Sequence, residues 1–201
     1  MTQVKICGIC DPADAVAAAD AGADLLGMHF CPSLRSIETS AGRSIADAVR
    51  GRVILVGVFI DADPADIAEI ADEVGLDVVQ LHGSESPGAY ARPVLKALKV
   101  RDGAVPDADG WPDPVLLDTW TADGRGGTGR SWPWEAARPL VAQRSVFVAG
   151  GLTPANVGEI VKVLGPAGVD VSSGVESEPR RKDAALMRAF VQAVRDADTG
   201  G

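Results

Sequence analysis

Short runs of aliphatic residues alternate along this chain with alanine-rich amphipathic stretches, and this alternation limits the fold more than any other feature. Most of the runs are continuously apolar, as expected of parallel strands that are covered on both faces of a sheet. The amphipathic stretches predict helices, so the chain is an α/β protein. Eight runs are predicted to be strands: Val4–Cys7, Leu25–Phe30, Val53–Phe59, Val78–Leu81, Leu95–Val100, Val115–Asp118, Val146–Ala149 and Val169–Ser172.

Helix starts are marked three times by an N-cap residue that is followed by proline. These pairs are Asp11-Pro12, Asp63-Pro64 and Thr153-Pro154. They predict helices over Asp11–Ala21, Ala65–Val74 and Ala155–Leu164, and a last helix runs from about Lys182 to Asp196. Between residues 100 and 115, prolines and glycines are too frequent for a full helix, so the fifth helix is predicted to be short or absent.

Two architectures fit strands that alternate with helices in this way, a closed barrel and an open doubly wound sheet. An open sheet usually carries a glycine-rich turn directly after its first strand. In this chain the glycine-rich turns come late, at Gly126–Gly129, Gly150-Gly151 and Ser173-Gly174. Barrels commonly bind phosphate after strands 7 and 8. We therefore predict a near-minimal (β/α)8 TIM barrel.

The charge balance and the lack of export signals narrow the expected partners and location. A net charge of −9 opposes binding to nucleic acid and to anionic membranes, so we expect neither as a partner. No signal-peptide pattern precedes the first strand, and no apolar stretch is long enough to span a bilayer. Three cysteines do not suggest a disulfide framework. We expect a single cytoplasmic domain over residues 1–201, as a monomer or a homodimer.

Catalytic side chains in a barrel lie at the carboxyl ends of the strands. Cys7 ends the first strand and Asp118 ends the sixth, so a thiol and a carboxylate could serve as base and acid across the barrel mouth. Lys5 shares the face of Cys7; we expect it to pair with Asp170 and to favour the Cys7 thiolate. The structural alternatives are a small buried residue for Cys7 and a turn or cap residue for Asp118.

Cys7 and Cys10 also form a Cys-x-x-Cys sequence, which occurs in redox pairs and in zinc sites. A zinc site needs about four ligands, and beyond this pair the chain has only Cys31, His29 and His82 of the thiol and imidazole types. Thioredoxin-like folds lack eight strand–helix repeats. We expect no metal, and we keep a reversible Cys7–Cys10 disulfide as a weaker hypothesis.

Several segments carry motifs that recur in the same order in one enzyme family. They are Lys5–Ile9, Val56–Phe59, Val79–Gly83, Gly126–Gly129, Ala149–Leu152 with Asn156-Val157, and Asp170–Glu176 followed by Lys182-Asp183. In this combination the chain resembles the phosphoribosylanthranilate isomerases over about residues 3 to 195. The combination is far more specific than any single motif.

The resemblance implies an enzyme of tryptophan biosynthesis that needs no cofactor and binds a small phosphorylated substrate. The implied reaction is the Amadori rearrangement of N-(5-phosphoribosyl)anthranilate to 1-(2-carboxyphenylamino)-1-deoxyribulose 5-phosphate. The implied general base is Cys7, the implied general acid is Asp118, and Arg35 would pair with the anthranilate carboxylate. The other implied site residues are Lys5, Gln80, His82 and Asp170 for the substrate, and Gly127, Gly151, Ser173 and Gly174 for the phosphate.

Three residues depart from the family pattern, which usually has Thr at Cys10, Pro at Leu34 and Gly at Arg180. Two alternative functions stay open. One is an isomerase that acts on a related sugar phosphate in specialised metabolism, or on a histidine-pathway aminoaldose as well; that dual activity would be expected to use two carboxylates, and Cys7 argues against it. The other is a catalytically silent barrel that serves as a binding module, against which the intact Cys7 and Asp118 count.

Overall fold

The computed structural model describes residues 1–119 and 132–200, and it contains a closed barrel of eight parallel strands. Each strand pairs with the next one in the chain, and β8 closes the barrel by pairing with β1. The predicted barrel is confirmed, and each strand begins and ends within one residue of its predicted bounds. The strands are β1 Gln3–Cys7, β2 Leu25–His29, β3 Ile54–Phe59, β4 Val78–Leu81, β5 Val94–Val100, β6 Val115–Thr119, β7 Val146–Val148 and β8 Gly168–Val171.

Helices follow most of the strands. In the described residues they are α1 Pro12–Asp20, α2 Thr39–Val49, α3 Pro64–Val74, α4 Arg138–Val141, α5 Val157–Leu164 and α6 Ala184–Thr199. The side chains of Asp11 and Asp63 accept hydrogen bonds from backbone N–H groups in the first turns of α1 and α3, as predicted. Helix α5 begins two residues later than predicted, with Asn156 rather than Thr153 as its N-cap.

Two fully described connections contain no helix. The segment 101–114, after β5, contains turns and one isolated β-bridge, which confirms that the fifth helix is missing. The segment 82–93, after β4, has no helix either, although we expected helices to alternate with strands. Pro87, Gly88 and Pro93 interrupt this segment, and both residue types are unfavourable in helix interiors.

The barrel interior is packed with side chains, which close off the barrel below the carboxyl ends of the strands. An apolar group that includes Leu25, Val56, Leu95 and Phe147 fills the interior, and a larger core lies between the strands and the helices. The Phe147 ring lies against Gly168, where an added Cβ would be 2.3 Å from the ring. Within residues 1–119 and 132–200, no helix has both the length and the apolar character of a membrane span.

Candidate active site

A cavity of about 530 Å³ opens at the carboxyl ends of the strands. The strand ends converge there, so residues far apart in sequence become neighbours. Most of the predicted site residues line the cavity: Cys7, Arg35, Gln80, His82, Asp118, Gly151, Asp170, Ser173 and Gly174. Of the other two, Lys5 is fully buried in the barrel and Gly127 lies outside the described residues.

The thiol of Cys7 lies at the end of β1, above a buried ion pair. Lys5 Nζ donates to Asp170 Oδ1 at 3.0 Å, as the sequence predicted. Burial opposes the charge on Lys5, yet Asp170 and Cys7 together raise the pKa of Lys5 to about 12. Burial raises the pKa of Cys7, and the Lys5 charge offsets only part of that effect. Lys5 thus favours the thiolate in the predicted direction, but burial outweighs it and the pKa of Cys7 is raised.

The loop after β2 carries Arg35 across the turn that follows Cys7. Gly8 makes this crossing possible: its φ is +76°, and a Cβ there would lie 2.2 Å from Arg35 Cδ. The guanidinium forms a double hydrogen bond with the Glu176 carboxylate, from Nε at 2.7 Å and from Nη2 at 2.6 Å. These bonds raise the pKa of Arg35 against the effect of burial. A guanidinium has five N–H groups, so Arg35 retains three to donate to a substrate.

Asp118 lies at the end of β6 with cationic and imidazole groups beside its carboxylate. Lys99 Nζ donates to Asp118 Oδ2 at 3.1 Å, and His82 Nε2 lies 3.2 Å from the same oxygen. Burial would raise the pKa of Asp118, but the hydrogen bonds and charges of His82 and Lys99 outweigh it and lower the pKa to about 2. Asp118 is therefore a carboxylate in the free protein.

Gln80 orients the His82 ring from beneath and leaves one polar atom without a partner. The Gln80 amide Nε2 lies 3.1 Å from His82 Nδ1. Gln80 Oε1 is buried and, within the described part of the chain, has no hydrogen-bond partner. A buried acceptor in this state favours a ligand that donates a hydrogen bond to it.

The glycine-rich turns after β7 and β8 lie against each other at one side of the cavity. Gly151 has a φ of +69°, and its carbonyl accepts a hydrogen bond from Asn156 Nδ2 at 2.9 Å. A Cβ on Gly174 would lie 1.9 Å from the carbonyl oxygen of Leu152, so the two turns approach more closely than any larger residue allows. Closely spaced backbone turns of this kind expose N–H groups that can bind an anion.

The three departures from the family pattern meet around the Arg35 loop. Arg180 has a φ of +76°, a conformation that favours glycine, and its Nη1 donates to Leu34 O at 2.8 Å and to Ser36 O at 3.1 Å. The Cys10 thiol lies 3.7 Å from Arg35 O. Arg180 therefore holds the loop backbone on both sides of Arg35, and Cys10 contacts it at Arg35 itself. The Cys7–Cys10 disulfide stays a prediction.

The structure adds four charged or polar side chains that the sequence analysis did not assign to the site. They are His29 beside Cys7, Lys99 beside Asp118, and Glu176 and Lys182, which bind one another at 2.8 Å next to Arg35. One signal was available for Lys99, because it is one of two lysines, with Lys96, that interrupt an otherwise aliphatic strand. Glu176 and Lys182 fall inside recognised motifs, but their pairing with Arg35 depends on the folded loops.

Comparison with known proteins identifies the family of this chain. The N-(5'-phosphoribosyl)anthranilate (PRA) isomerase family matches residues 4–193. An N-(5'-phosphoribosyl)anthranilate isomerase of Pelobacter propionicus is 42% identical, over 98% of this chain and 97% of the relative. The crystal structure of phosphoribosyl anthranilate isomerase from Thermus thermophilus has a TM-score of 0.88 and 38% identity, covering 97% of this chain and 99% of that one.

A further crystal structure is of a phosphoribosyl anthranilate isomerase in complex with reduced 1-(o-carboxyphenylamino)-1-deoxyribulose 5-phosphate. It has a TM-score of 0.84 and 33% identity, and the match covers 97% of this chain and 99% of that one. Family match, sequence identity and fold thus agree over nearly the whole length. The chain belongs to the N-(5'-phosphoribosyl)anthranilate isomerase family.

Proposed function

We propose that this protein isomerises N-(5-phosphoribosyl)anthranilate to 1-(2-carboxyphenylamino)-1-deoxyribulose 5-phosphate, without a cofactor and with residues 1–201 as one catalytic domain. The observation that carries the proposal is that Cys7 and Asp118 line one cavity, together with Arg35 and the two glycine-rich turns. One base, one acid and two anion-binding regions are what this reaction requires. Family membership supports the same reaction.

Ring opening is the first step, and we assign it to Asp118. A protonated Asp118 gives its proton to the furanose ring oxygen while the bond from that oxygen to C1′ breaks. The anthranilate nitrogen supplies its lone pair to C1′ and forms an iminium ion. Asp118 is ionised in the free protein, so it must gain a proton before each ring opening; we assign this delivery to the neighbouring Lys99 and His82, which regain the proton from water.

Proton removal from C2′ is the second step, and we assign it to Cys7. The Cys7 thiolate takes the C2′ proton, and the electron pair of that bond forms the C1′=C2′ bond of an enolamine while the iminium is neutralised. Formation of the ketone then adds a proton at C1′ and removes one from the 2′-hydroxyl, which cancel. A turnover therefore leaves Cys7 protonated and Asp118 ionised.

Two regions bind the negative ends of the substrate in this scheme. Arg35 donates its remaining N–H groups to the anthranilate carboxylate, while backbone groups of Gly151, Ser173 and Gly174 bind the phosphate. Gly127 belongs to the same proposed phosphate site. Neutral backbone dipoles and a single arginine explain how a chain with a net charge of −9 can bind an anion. Gln80 Oε1 accepts a hydrogen bond from the substrate, and Lys5 and Asp170 set the field at Cys7.

The enzyme is proposed to act in the cytoplasm, in tryptophan biosynthesis, as a monomer or a homodimer; a dimeric phosphoribosylanthranilate isomerase is among the structures that the chain resembles. Nucleic acid and membranes are not among its proposed partners.

Direct turnover tests the proposed function. Anthranilate derivatives fluoresce, so conversion of N-(5-phosphoribosyl)anthranilate by the purified protein can be followed continuously, with the product identified by mass spectrometry. We expect turnover, and we expect the same gene to restore growth without tryptophan in a strain that lacks the isomerase. No turnover, together with conversion of another sugar phosphate, would assign the cavity to a related isomerase, and no turnover of either would favour a binding module.

Replacing Arg35 with alanine is expected to weaken substrate binding more than chemistry. Loss of charge-assisted hydrogen bonds to a carboxylate costs about 2 kcal/mol, which corresponds to a rise in KM of roughly 30-fold. Steady-state kinetics of Arg35→Ala measure this, with Arg188→Ala on the exposed side of α6 as the matched control. An unchanged KM in Arg35→Ala would mean that the anthranilate carboxylate binds elsewhere.

A further inference from the structure

The Cys7 thiol lies beside the imidazole of His29, which has no role in the reaction steps proposed above. Cys7 Sγ lies 3.3 Å from Nε2 of His29, the last residue of β2. Strand register explains the contact, because Cys7 pairs with Gly27 and His29 follows two residues later on the same face. Gly27 leaves the space free, since a Cβ there would lie 2.7 Å from Cys7 Sγ.

The other nitrogen of the His29 ring is engaged as well. His29 Nδ1 lies 2.9 Å from Ser33 Oγ, which also accepts a hydrogen bond from the Arg35 backbone N–H at 2.9 Å. Ser33 is exposed at the rim of the cavity, whereas Cys7 is 5% exposed. A continuous hydrogen-bonded line therefore runs from the buried thiol through the imidazole to a hydroxyl at the surface.

Electrostatics keep this ring neutral. Burial lowers the pKa of His29 to about 3, and four cationic or imidazole groups around it act in the same direction. They are Lys5 from β1, His82 directly after β4, Arg35 from the loop after β2 and Lys182 from the segment before α6. A neutral imidazole has one protonated and one free nitrogen. If the ring is to stay neutral, it can accept a proton at Nε2 only while it gives up the proton on Nδ1.

The reaction scheme needs such a path. If each turnover leaves the C2′ proton on Cys7, the thiol must lose that proton before it can act again. Lys5 cannot take it, because the high pKa of Lys5 keeps it charged, and Asp170 is bound to Lys5. His29 Nε2 is an uncharged basic nitrogen within hydrogen-bonding distance of Sγ.

We propose that His29 and Ser33 form a proton relay that removes the proton from the Cys7 thiol before each turnover. The inference rests on the function proposed above. In the relay, the S–H bond breaks and its proton binds His29 Nε2, while the Nδ1 proton passes to Ser33 Oγ and the Ser33 hydroxyl proton passes to water. The ring ends in its other tautomer. Between turnovers, Nε2 gives its proton to water in the open cavity, which His29 lines, while Ser33 Oγ passes a proton from water back to Nδ1. His29 acts through Cys7 and is a positioning and relay residue.

Two replacements of His29 separate a relay from a purely structural role. His29→Gln keeps a hydrogen-bonding amide near Sγ but cannot change tautomer, and His29→Ala opens space for a small buffer molecule. We expect kcat to fall at least about 10-fold in both variants, with KM changed by less than about 3-fold, because the relay does not bind substrate. Added imidazole should restore much of the kcat of His29→Ala and leave wild-type kcat unchanged.

Ser33→Ala tests the outer end of the relay, and Ser84→Ala, on an exposed loop outside the cavity lining, is its matched control. We expect kcat to fall in Ser33→Ala and to stay at the wild-type value in Ser84→Ala. Circular dichroism of each variant establishes that the barrel is folded.

The outcomes distinguish this inference from the proposed function. Wild-type turnover together with full activity of His29→Gln overturns the relay alone. A slow His29→Ala variant whose kcat does not rise with added imidazole also overturns the relay, because His29 would then only hold the thiol in place. A wild-type protein that does not convert phosphoribosylanthranilate overturns the proposed function, and the relay falls with it.

Discussion

Cys7→Ala is expected to lower kcat by at least ~10²-fold while leaving the barrel folded, because positioned acids and bases commonly contribute 10²–10⁴-fold to a rate. The substitution removes only the sulfur of a small side chain whose neighbours in the same cluster are Cys31 and Val58. The loss of packing is therefore small compared with the loss of the base. Stopped-flow or steady-state fluorescence assays measure kcat, and circular dichroism with thermal melting shows whether the barrel is folded.

Two further variants define what the effect at Cys7 means. Cys7→Ser keeps the shape and a hydrogen-bonding group, but a hydroxyl is far harder to ionise than a thiol, so we expect it to be about as slow as Cys7→Ala. Cys10→Thr replaces a nearby half-buried thiol that does not itself line the cavity, and we expect wild-type kcat. Near-full turnover by Cys7→Ala would remove Cys7 from the mechanism.

Lys5→Met is expected to destabilise the protein by about 3–5 kcal/mol, the usual cost of removing one partner of a buried ion pair. Lys5 is fully buried, and its ammonium is 3.0 Å from Asp170 Oδ1, so the substitution leaves an uncompensated carboxylate beneath the site. For a chain of this size, that loss corresponds to a fall in Tm of roughly 10 °C. Denaturant unfolding followed by circular dichroism measures the free energy of unfolding.

The double variant Lys5→Met/Asp170→Asn is the control for that prediction. Removing both charges eliminates the stranded carboxylate, so we expect it to recover much of the lost stability. Equal stability of the single and double variants would show that packing, rather than charge, accounts for the loss. The pKa of Lys5 rises from 10.5 to about 12 on folding, so its contribution is complete below pH 10.5 and is lost as the pH passes about 12. Measurements at pH 7 therefore capture the whole effect.

The barrel itself could be predicted because the signals for it are local. Aliphatic runs mark each strand, Asp-Pro pairs mark the starts of α1 and α3, and late glycine-rich turns favour a closed barrel over an open sheet. In a closed parallel barrel, the residues at the carboxyl ends of the strands all lie at the same end of the barrel. The strand pattern alone therefore predicts that Cys7 and Asp118 line one cavity.

The sequence by itself determined the order of the strands, the missing helix after β5 and the identity of the groups at the barrel mouth. Only the tertiary structure decided how those groups are charged and paired. Burial outweighs Lys5 at Cys7, whereas Lys99 and His82 outweigh burial at Asp118. Strand ends are fixed by hydrophobic patterning over neighbouring residues, but pKa values and ion pairs depend on distances and desolvation that exist only after residues remote in sequence have been packed together.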